Sequence, residues 1–306
     1  MDANPGIRQL GLARNPLKRK VRLNSAYLFI APSMVIIAVF IVWPIIQAFW
    51  MSLHDWSFIA VERPFVGLAN YIALVHDSRF WNSFRVTAVY TGISMPSQII
   101  LALLLALALN SRLRAARFLQ AIYFFPVISS LAVMAIVWKF LLDPDIGLIT
   151  HWFTQVGLPP INWLQSTTWA LPSVIFVGLW KNIGFNMVIL LAGLQAIPEI
   201  FYEAAAIDGA SRWARFWNIT LPGLRQTLLF VTIISVIGCL QMFDQVYVMT
   251  GGGPLFRTET LVTYMYHQGF DLFRMGYASS IAGVLFLIIM ILSYFQLKFF
   301  KYQDVD

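Results

Sequence analysis

Charge is scarce in this chain. Asp, Glu, Lys and Arg make up 11% of its 306 residues, against about 25% in a soluble domain. Hydrophobic residues reach 59%. A water-soluble fold of this size cannot hide so much apolar surface, so lipid must solvate part of it. Cysteine is nearly absent: Cys239 stands alone inside an apolar run. That excludes a disulfide within the chain and carries no information on redox compartment. The four histidines (His54, His76, His151, His267) lie far apart and outside the long apolar runs. There is no H-E-x-x-H, no G-x-S-x-G and no cysteine pair. No catalytic residue or metal site is therefore expected, and the chain does not read as an enzyme. It also lacks G-x-x-x-x-G-K-[ST], the loop that cradles nucleotide phosphates. Energy for uphill work would have to come from a partner or from an ion gradient.

What the chain has in quantity is long apolar runs. Six are of the length that crosses a bilayer, about 20 residues each: 26–50, 86–109, 118–142, 170–195, 221–248 and 277–299. The first starts too late and runs too long for a signal peptide, and is read as an uncleaved anchor. Pro32, Pro44, Pro96 and Pro126 fall inside these runs, where neighbouring helices can satisfy the freed carbonyls. Trp43, Trp50, Trp56, Trp81, Trp163 and Trp169 lie near run ends, as headgroup anchors do. The expected fold is an all-α, polytopic helical bundle: a basic N-terminal arm (1–25), one six-span domain (26–299) and a short tail (300–306). No internal repeat or low-complexity segment appears.

The net charge of +7 is not evenly spread. Fourteen of the 21 Lys and Arg residues fall in the N-terminal arm, the second and fourth connections, the tail and the run ends that adjoin them (Arg225, Lys298), whereas five fall in the other connections. The positive-inside rule then places both termini and the fourth connection in the cytoplasm. The basic arm reads as a topology signal and lipid contact rather than a nucleic-acid site.

The fourth connection, "EAAAIDGASRWARFWNITLP" from Glu203 to Pro222, is the unusual one. Pro198 suits a first helical turn, and Glu199 and Glu203 complement the dipole at a helix N-terminus. Ala204, Ala205 and Ala206 favour helix with little bulk. Gly209 sits where a left-handed helix stop is needed, and Ser211 can cap a second helix. Trp213, Phe216 and Trp217 are spaced i, i+3, i+4 and share a face. The result is a helix-turn-helix knob suited to a groove on another protein. Its bland counterpart is an interfacial helix lying on lipid. After the fifth run, "TGGGP" at Thr250–Pro254 reads as a sharp turn.

Polar groups inside hydrocarbon are expensive and usually functional. The fourth run carries Trp180, Lys181, Asn182 and Asn186, and the fifth carries Gln241, Asp244 and Gln245. Asn182 and Asn186 share a helix face, and so do Gln241, Asp244 and Gln245, spaced i, i+3, i+4. Trp180 and Phe185 offer faces suited to sugar rings. These groups either line a solute pathway or hold the bundle together. For Lys181 and Asp244 the favoured reading is a mutual ion pair. Lys139 is expected to snorkel.

The pattern Glu203-Ala204-Ala205, three residues, Gly209, nine residues, Ile219, one residue, Leu221-Pro222 resembles the EAA loop of binding-protein-dependent ABC importer permeases. "FDQVYVMTGGGP" (Phe243–Pro254) and "GLQAIPEIFYEAAAIDGA" (Gly193–Ala210) resemble the carbohydrate-uptake branch, of maltose and glycerol-phosphate type. The likeness runs from about Ala26 to the end. It implies a permease subunit that works with a second permease, two ATPase subunits holding ATP and Mg, and an extracytoplasmic solute-binding protein, in a bacterial cell membrane. It further implies that Glu203 contacts the ATPase groove, that Gly209 makes the bend, and that Ala204, Ala205, Asp208 and Trp213 belong to the docking knob in 198–220. The maltose-type archetype has extra spans and a large outer domain, which this chain lacks. The rival reading is a free-standing secondary carrier, for which repeat symmetry or broken spans would be expected and the Glu203–Pro222 knob would have no use.

Overall fold

The computed structural model describes residues 18–110 and 114–301. Most of the basic arm, Arg112 and the last residues of the tail lie outside the described residues. Among the described residues the chain is helical, with only two isolated β-bridges, His54–Phe65 and Ser57–Arg274.

The chain divides into two units, 1–50 and 51–306. In the first, α1 (Lys18–Ile37) continues through a π-helical turn, Ala38–Val42, into α2 (Trp43–Ser52). Pro32 lies within α1. Its side chains from Tyr27 to Gln47 are exposed all round, including Phe29 and Phe40. A helix apolar on every face is one that lipid can solvate.

The second unit holds the remaining helices. A short α3 (Ala69–His76) precedes α4 (Ser78–Leu109). The α4 helix begins eight residues before the second apolar run because Asp77 caps it, its side chain accepting from the Arg79 N–H at 2.8 Å. Next come α5 (Arg114–Ile128), α6 (Leu131–Leu141), α7 (Leu148–Gln155) and α8 (Ala170–Ala196). Beyond them lie α9 (Glu199–Ile207), α10 (Arg212–Arg215), a π-helical turn (Phe216–Thr220) and α11 (Leu221–Gly223). Finally α12 (Arg225–Leu240), α13 (Asp244–Met249), α14 (Leu261–Tyr266), a π-helical turn (His267–Asp271) and α15 (Met275–Lys301) complete the unit.

Among the described residues five helical stretches are long and apolar enough to cross a membrane, and α5 with α6, counted as one bent span, make a sixth. The third expected span is therefore not one straight rod: its halves meet at 99°. Pro126 removes one backbone donor in the last turn of α5, and Ser130 is extended at ψ 132° before α6. Together they end one helix and restart another. The fifth span is interrupted too, at Gln241–Phe243, between α12 and α13.

The bundle is organised on α4 and α8, which pack along their length. The α5 helix lies on α8, α6 on α13, and α12 on both α4 and α15. Three core clusters follow from this. One holds Tyr90, Val174, Val177 and Val246, a second Ala102, Ala106, Met187 and Leu190, and a third Phe80, Leu261, Tyr264 and Ile281. In lipid, apolar contact alone does not choose partners, because acyl chains are as apolar as leucine. Close approach and hydrogen bonds choose them instead. At Gly184 an added Cβ would lie 2.0 Å from the Tyr123 carbonyl oxygen of α5, so only glycine lets α5 and α8 meet there.

Candidate functional site

The polar residues singled out in the fourth and fifth spans separate into two groups. Asn182, Asn186, Gln241 and Asp244 line one cavity of about 390 Å³. It opens between α8 and the interrupted α12–α13 span, and Gln98, Phe185, Ser235, Cys239, Met242 and Phe243 complete much of its wall. Asn186 is buried and donates to Ser235 Oγ at 3.1 Å. Asn182 donates to the Gly178 carbonyl one turn back, at 3.0 Å. Gln98 donates to Cys239 Sγ at 3.4 Å. Gln241 and Asp244 are exposed on the cavity rim.

Gln245, Lys181 and Trp180 do other work. Gln245 is fully buried, and its Nε2 donates to Tyr90 Oη at 3.1 Å and to the Val174 carbonyl at 2.9 Å. It joins α13 to α4 and α8. The i, i+3, i+4 argument that grouped it with Gln241 and Asp244 requires a continuous helix, and the break at Gln241–Phe243 turns Gln245 the other way. The expected Lys181–Asp244 ion pair is not formed. Lys181 Nζ instead donates to the carbonyls of Val127 at 3.3 Å and Pro126 at 3.5 Å. The reason is the broken third span. Carbonyls in the last turn of α5 have no partner within the helix, and a cation satisfies them and complements the helix dipole. Trp180 stacks edge-on against Trp138 of α6, centroids 5.4 Å apart, rather than facing the cavity. Gln98 and Ser235 do not stand out from the polar pattern of the fourth and fifth runs; an isolated glutamine two residues past Pro96, mid-span, is the available signal for the first.

The second feature is the helix-turn-helix between α8 and α12. The α9 helix carries Glu203, Ala204 and Ala205, and Asp208 is its C-cap. Pro198 stands one place before the first turn, as N-cap. Gly209 has φ +72°, a left-handed stop that a side chain resists. The Asp208 N–H reaches the Ala204 carbonyl at 3.0 Å, Gly209 reaches Ala206 at 3.2 Å and Ala210 reaches Ala205 at 2.9 Å, closing the C-terminus as a Schellman turn. Ser211 caps α10, accepting from the Ala214 N–H at 3.2 Å. Trp213, Phe216 and Trp217 form one ring cluster with centroids 5.4–6.0 Å apart. Tyr202 Oη and Thr220 Oγ1 meet at 2.9 Å, tying the two arms. Glu203, Ala204, Asp208 and Gly209 are exposed, with Ile207 and Trp213 beside them.

At the opposite end of α4, Asp77 accepts from the hydroxyls of Tyr264 and, at 2.5 Å, Tyr277. Burial opposes ionisation of Asp77, but these bonds and two backbone donors outweigh it and hold its pKa below the usual carboxylate range. Burial, then the bond to Asp77, pushes the Tyr264 hydroxyl up to about 12. Arg79 forms a two-pronged ion pair with the fully buried Glu259, at 2.7 and 2.9 Å. Between α13 and this pair runs the Thr250–Pro254 turn, with Gly251 and Gly252 at positive φ.

Among known proteins, the chain is 36% identical over 293 residues to the trehalose/maltose transport system permease protein MalF of Thermococcus litoralis, covering 94% of this chain and 99% of the other. It is 34% identical to the sn-glycerol-3-phosphate transport system permease protein UgpA of Yersinia enterocolitica, covering 89% and 92%. Its fold matches a chain of a bacterial ABC transporter involved in the import of the acidic polysaccharide alginate, with TM-score 0.82 at 22% identity, covering 94% of this chain and 99% of that one. The profile of the family described as "binding-protein-dependent transport system inner membrane component" matches residues 66–301. On that match and on the coextensive relatives, the chain belongs to the family of binding-protein-dependent transport system inner membrane components.

Proposed function

We propose that this chain is the permease subunit of an ATP-driven importer that moves a carbohydrate or carbohydrate-like solute into a bacterial cell. The observation that carries the reading is the end-to-end likeness to the trehalose/maltose permease. Broken spans, which a secondary carrier would also show, do not separate the two classes. The helix-turn-helix favours the importer, because a free-standing carrier has no use for it.

In this reading the cavity is a solute station in the pathway. Amides of Asn182, Asn186 and Gln241 donate and accept, and the Asp244 carboxylate accepts; a polyol can engage both roles. Phe185 and Phe243 supply the apolar faces that pyranose rings need. At about 390 Å³ the cavity lies toward the small end of the ~300–1,000 Å³ typical of ligand sites.

The knob is placed to move that station. It is continuous with α8 through Ile197 and with α12 through the π-helical turn and α11. Those are the helices that carry Asn182, Asn186, Ser235 and Cys239. Two cytoplasmic ATPase subunits, one docked here through Glu203, Ala204, Ala205, Asp208, Gly209 and Trp213, would bind ATP and Mg. Their closure would displace α9–α10 and, through the Tyr202–Thr220 bond, both spans together. A second permease chain would supply the other wall of the pathway, and an extracytoplasmic binding protein would deliver solute to the outer end. The charge asymmetry supports both termini in the cytoplasm.

Affinity purification of the tagged chain from native membranes, with mass spectrometry of what co-purifies, tests this. Recovery of an ATPase subunit and a second permease, lost when residues 203–220 are deleted from a stably inserted chain, is the expected result. Recovery of the chain alone, under conditions that keep other complexes whole, refutes it.

A further inference from the structure

The two arms of the knob carry opposite charge. The stretch 199–208 holds the acids Glu199, Glu203 and Asp208 and no Lys or Arg. The stretch 209–224 holds Arg212 and Arg215 and no Asp or Glu. Among the described residues neither of these arginines forms an ion pair. Each arm thus presents one sign of charge, and the two suit different surroundings.

The arms also differ in how they join the spans. The α9 helix is set off from α8 by two extended residues, Ile197 and Pro198. The second arm has no such break: helix runs from Arg212 through the π-helical turn and α11 to Gly223. Trp217 stands four residues before Leu221, where the fifth apolar run begins. Four residues of helix rise about 6 Å, and one headgroup layer is roughly 5–8 Å deep. The arm is therefore at headgroup depth by its continuity with the span. The rings of Trp213, Phe216 and Trp217 cluster there, none of them belongs to a core cluster, and Trp217 is 48% exposed. Indole rings partition to that layer. A guanidinium beside them matches a lipid phosphate in two-pronged geometry. Hydrocarbon would penalise the arginines, and bulk water would leave the rings unburied.

We infer that residues 212–220 are a headgroup-docking arm for anionic phospholipid in the adjoining leaflet, which leaves α9 to the ATPase. Trp213, nearest the turn, borders both surfaces. The inference takes its orientation and the ATPase docking from the reading above and adds the lipid. The competing occupant of the arm is the ATPase itself.

The test puts the photoreactive residue benzoylphenylalanine in place of Trp217, in the full chain within its purified complex. The bilayer is a nanodisc of phosphatidylglycerol and phosphatidylcholine in equal parts. A control chain carries the same residue in place of Phe230, which is 52% exposed on α12 inside the span. Adducts formed on irradiation are identified by mass spectrometry. The expected result is a lipid adduct at position 217 that favours phosphatidylglycerol about five- to twentyfold, from roughly fivefold for each arginine at an anionic surface. Arg212→Gln with Arg215→Gln should bring the ratio near one, as should about 1 M salt. Arg212→Lys with Arg215→Lys should keep most of it, and position 230 should show no headgroup preference. An ATPase adduct in place of lipid overturns the arm and leaves ATPase docking standing. A ratio near one in the otherwise unaltered chain overturns it too, as does a ratio that the glutamine pair leaves unmoved. So does the absence of any adduct at 217 when 230 labels. A phosphatidylglycerol adduct on a chain that purifies without an ATPase supports the arm and removes the importer reading instead.

Discussion

Substitution of Gly209 gives a graded test of coupling, because the structure isolates its backbone conformation from its packing. Gly209 has φ +72° and no atom within 4 Å of where a Cβ would stand. A side chain there meets no clash, so its cost is conformational: about 1–2 kcal/mol for alanine in the left-handed region, and less for asparagine, which tolerates it. That shifts the occupancy of the native turn by roughly 5- to 30-fold. Proline is different in kind. Its ring fixes φ near −65°, and it deletes the Gly209 N–H that reaches Ala206. The native turn is then closed to it. Because the segment is exposed and packs little against the bundle, the spans should insert and fold normally in all three variants. The expected order of ATP-coupled uptake in reconstituted complex is Gly, Asn, Ala, Pro. Gly209→Pro should retain basal ATP hydrolysis while transport is lost. Uptake by Gly209→Pro equal to wild type, with an unchanged melting temperature, would refute the claim that a fixed angle between α9 and α10 transmits the ATPase stroke.

Four further outcomes follow from the geometry. Glu203→Ala should lower the yield of ATPase subunit on the purified chain without lowering chain stability, as read by co-purification and thermal unfolding in detergent; an unchanged yield counts against the docking role. Lys181→Met should uncap the Val127 and Pro126 carbonyls and destabilise the chain by about 1–3 kcal/mol, whereas Asp244→Asn should leave stability unchanged, since the two do not pair; equal destabilisation by both would restore the ion pair. A double-mutant cycle on Asn186→Ala and Ser235→Ala should yield a coupling of about 0.6–1.7 kcal/mol, the range of interhelical bonds in membranes, and a zero coupling would mean that water or solute separates them. At the Asp77 cluster the folded carboxyl titrates below the usual range, so its contribution is present above the ordinary aspartate pKa and is lost as pH falls through the lowered value. Asp77→Asn should flatten that acid limb of a pH–melting curve, and a curve that keeps its shape would place the loss elsewhere.

Chain composition and spacing alone determined a good deal. The apolar runs and the rarity of charge dictate a membrane bundle, since the bilayer demands about 20 apolar residues and satisfied backbone in each span. The knob was legible residue by residue because capping and turn chemistry are local: Gly209, Ser211 and the ring spacing act within a few residues of themselves, and the structure places Gly209 at positive φ and Ser211 as a cap. Asn182 and Asn186 came to the same cavity because α8 is unbroken between them. What only the tertiary structure decided begins where helices stop. The bend at Ser129–Ser130 and the gap at Gln241–Phe243 reset the helical phase. Gln245 therefore turns into the core, and Lys181 finds freed carbonyls on α5 instead of a carboxylate on α13. Periodicity describes one continuous helix and is silent about partners across a break. The choice of which polar groups glue the bundle and which face the cavity is made by the approach of α4, α5 and α12 to α8, at contacts such as Gly184 against Tyr123, and no local pattern encodes those.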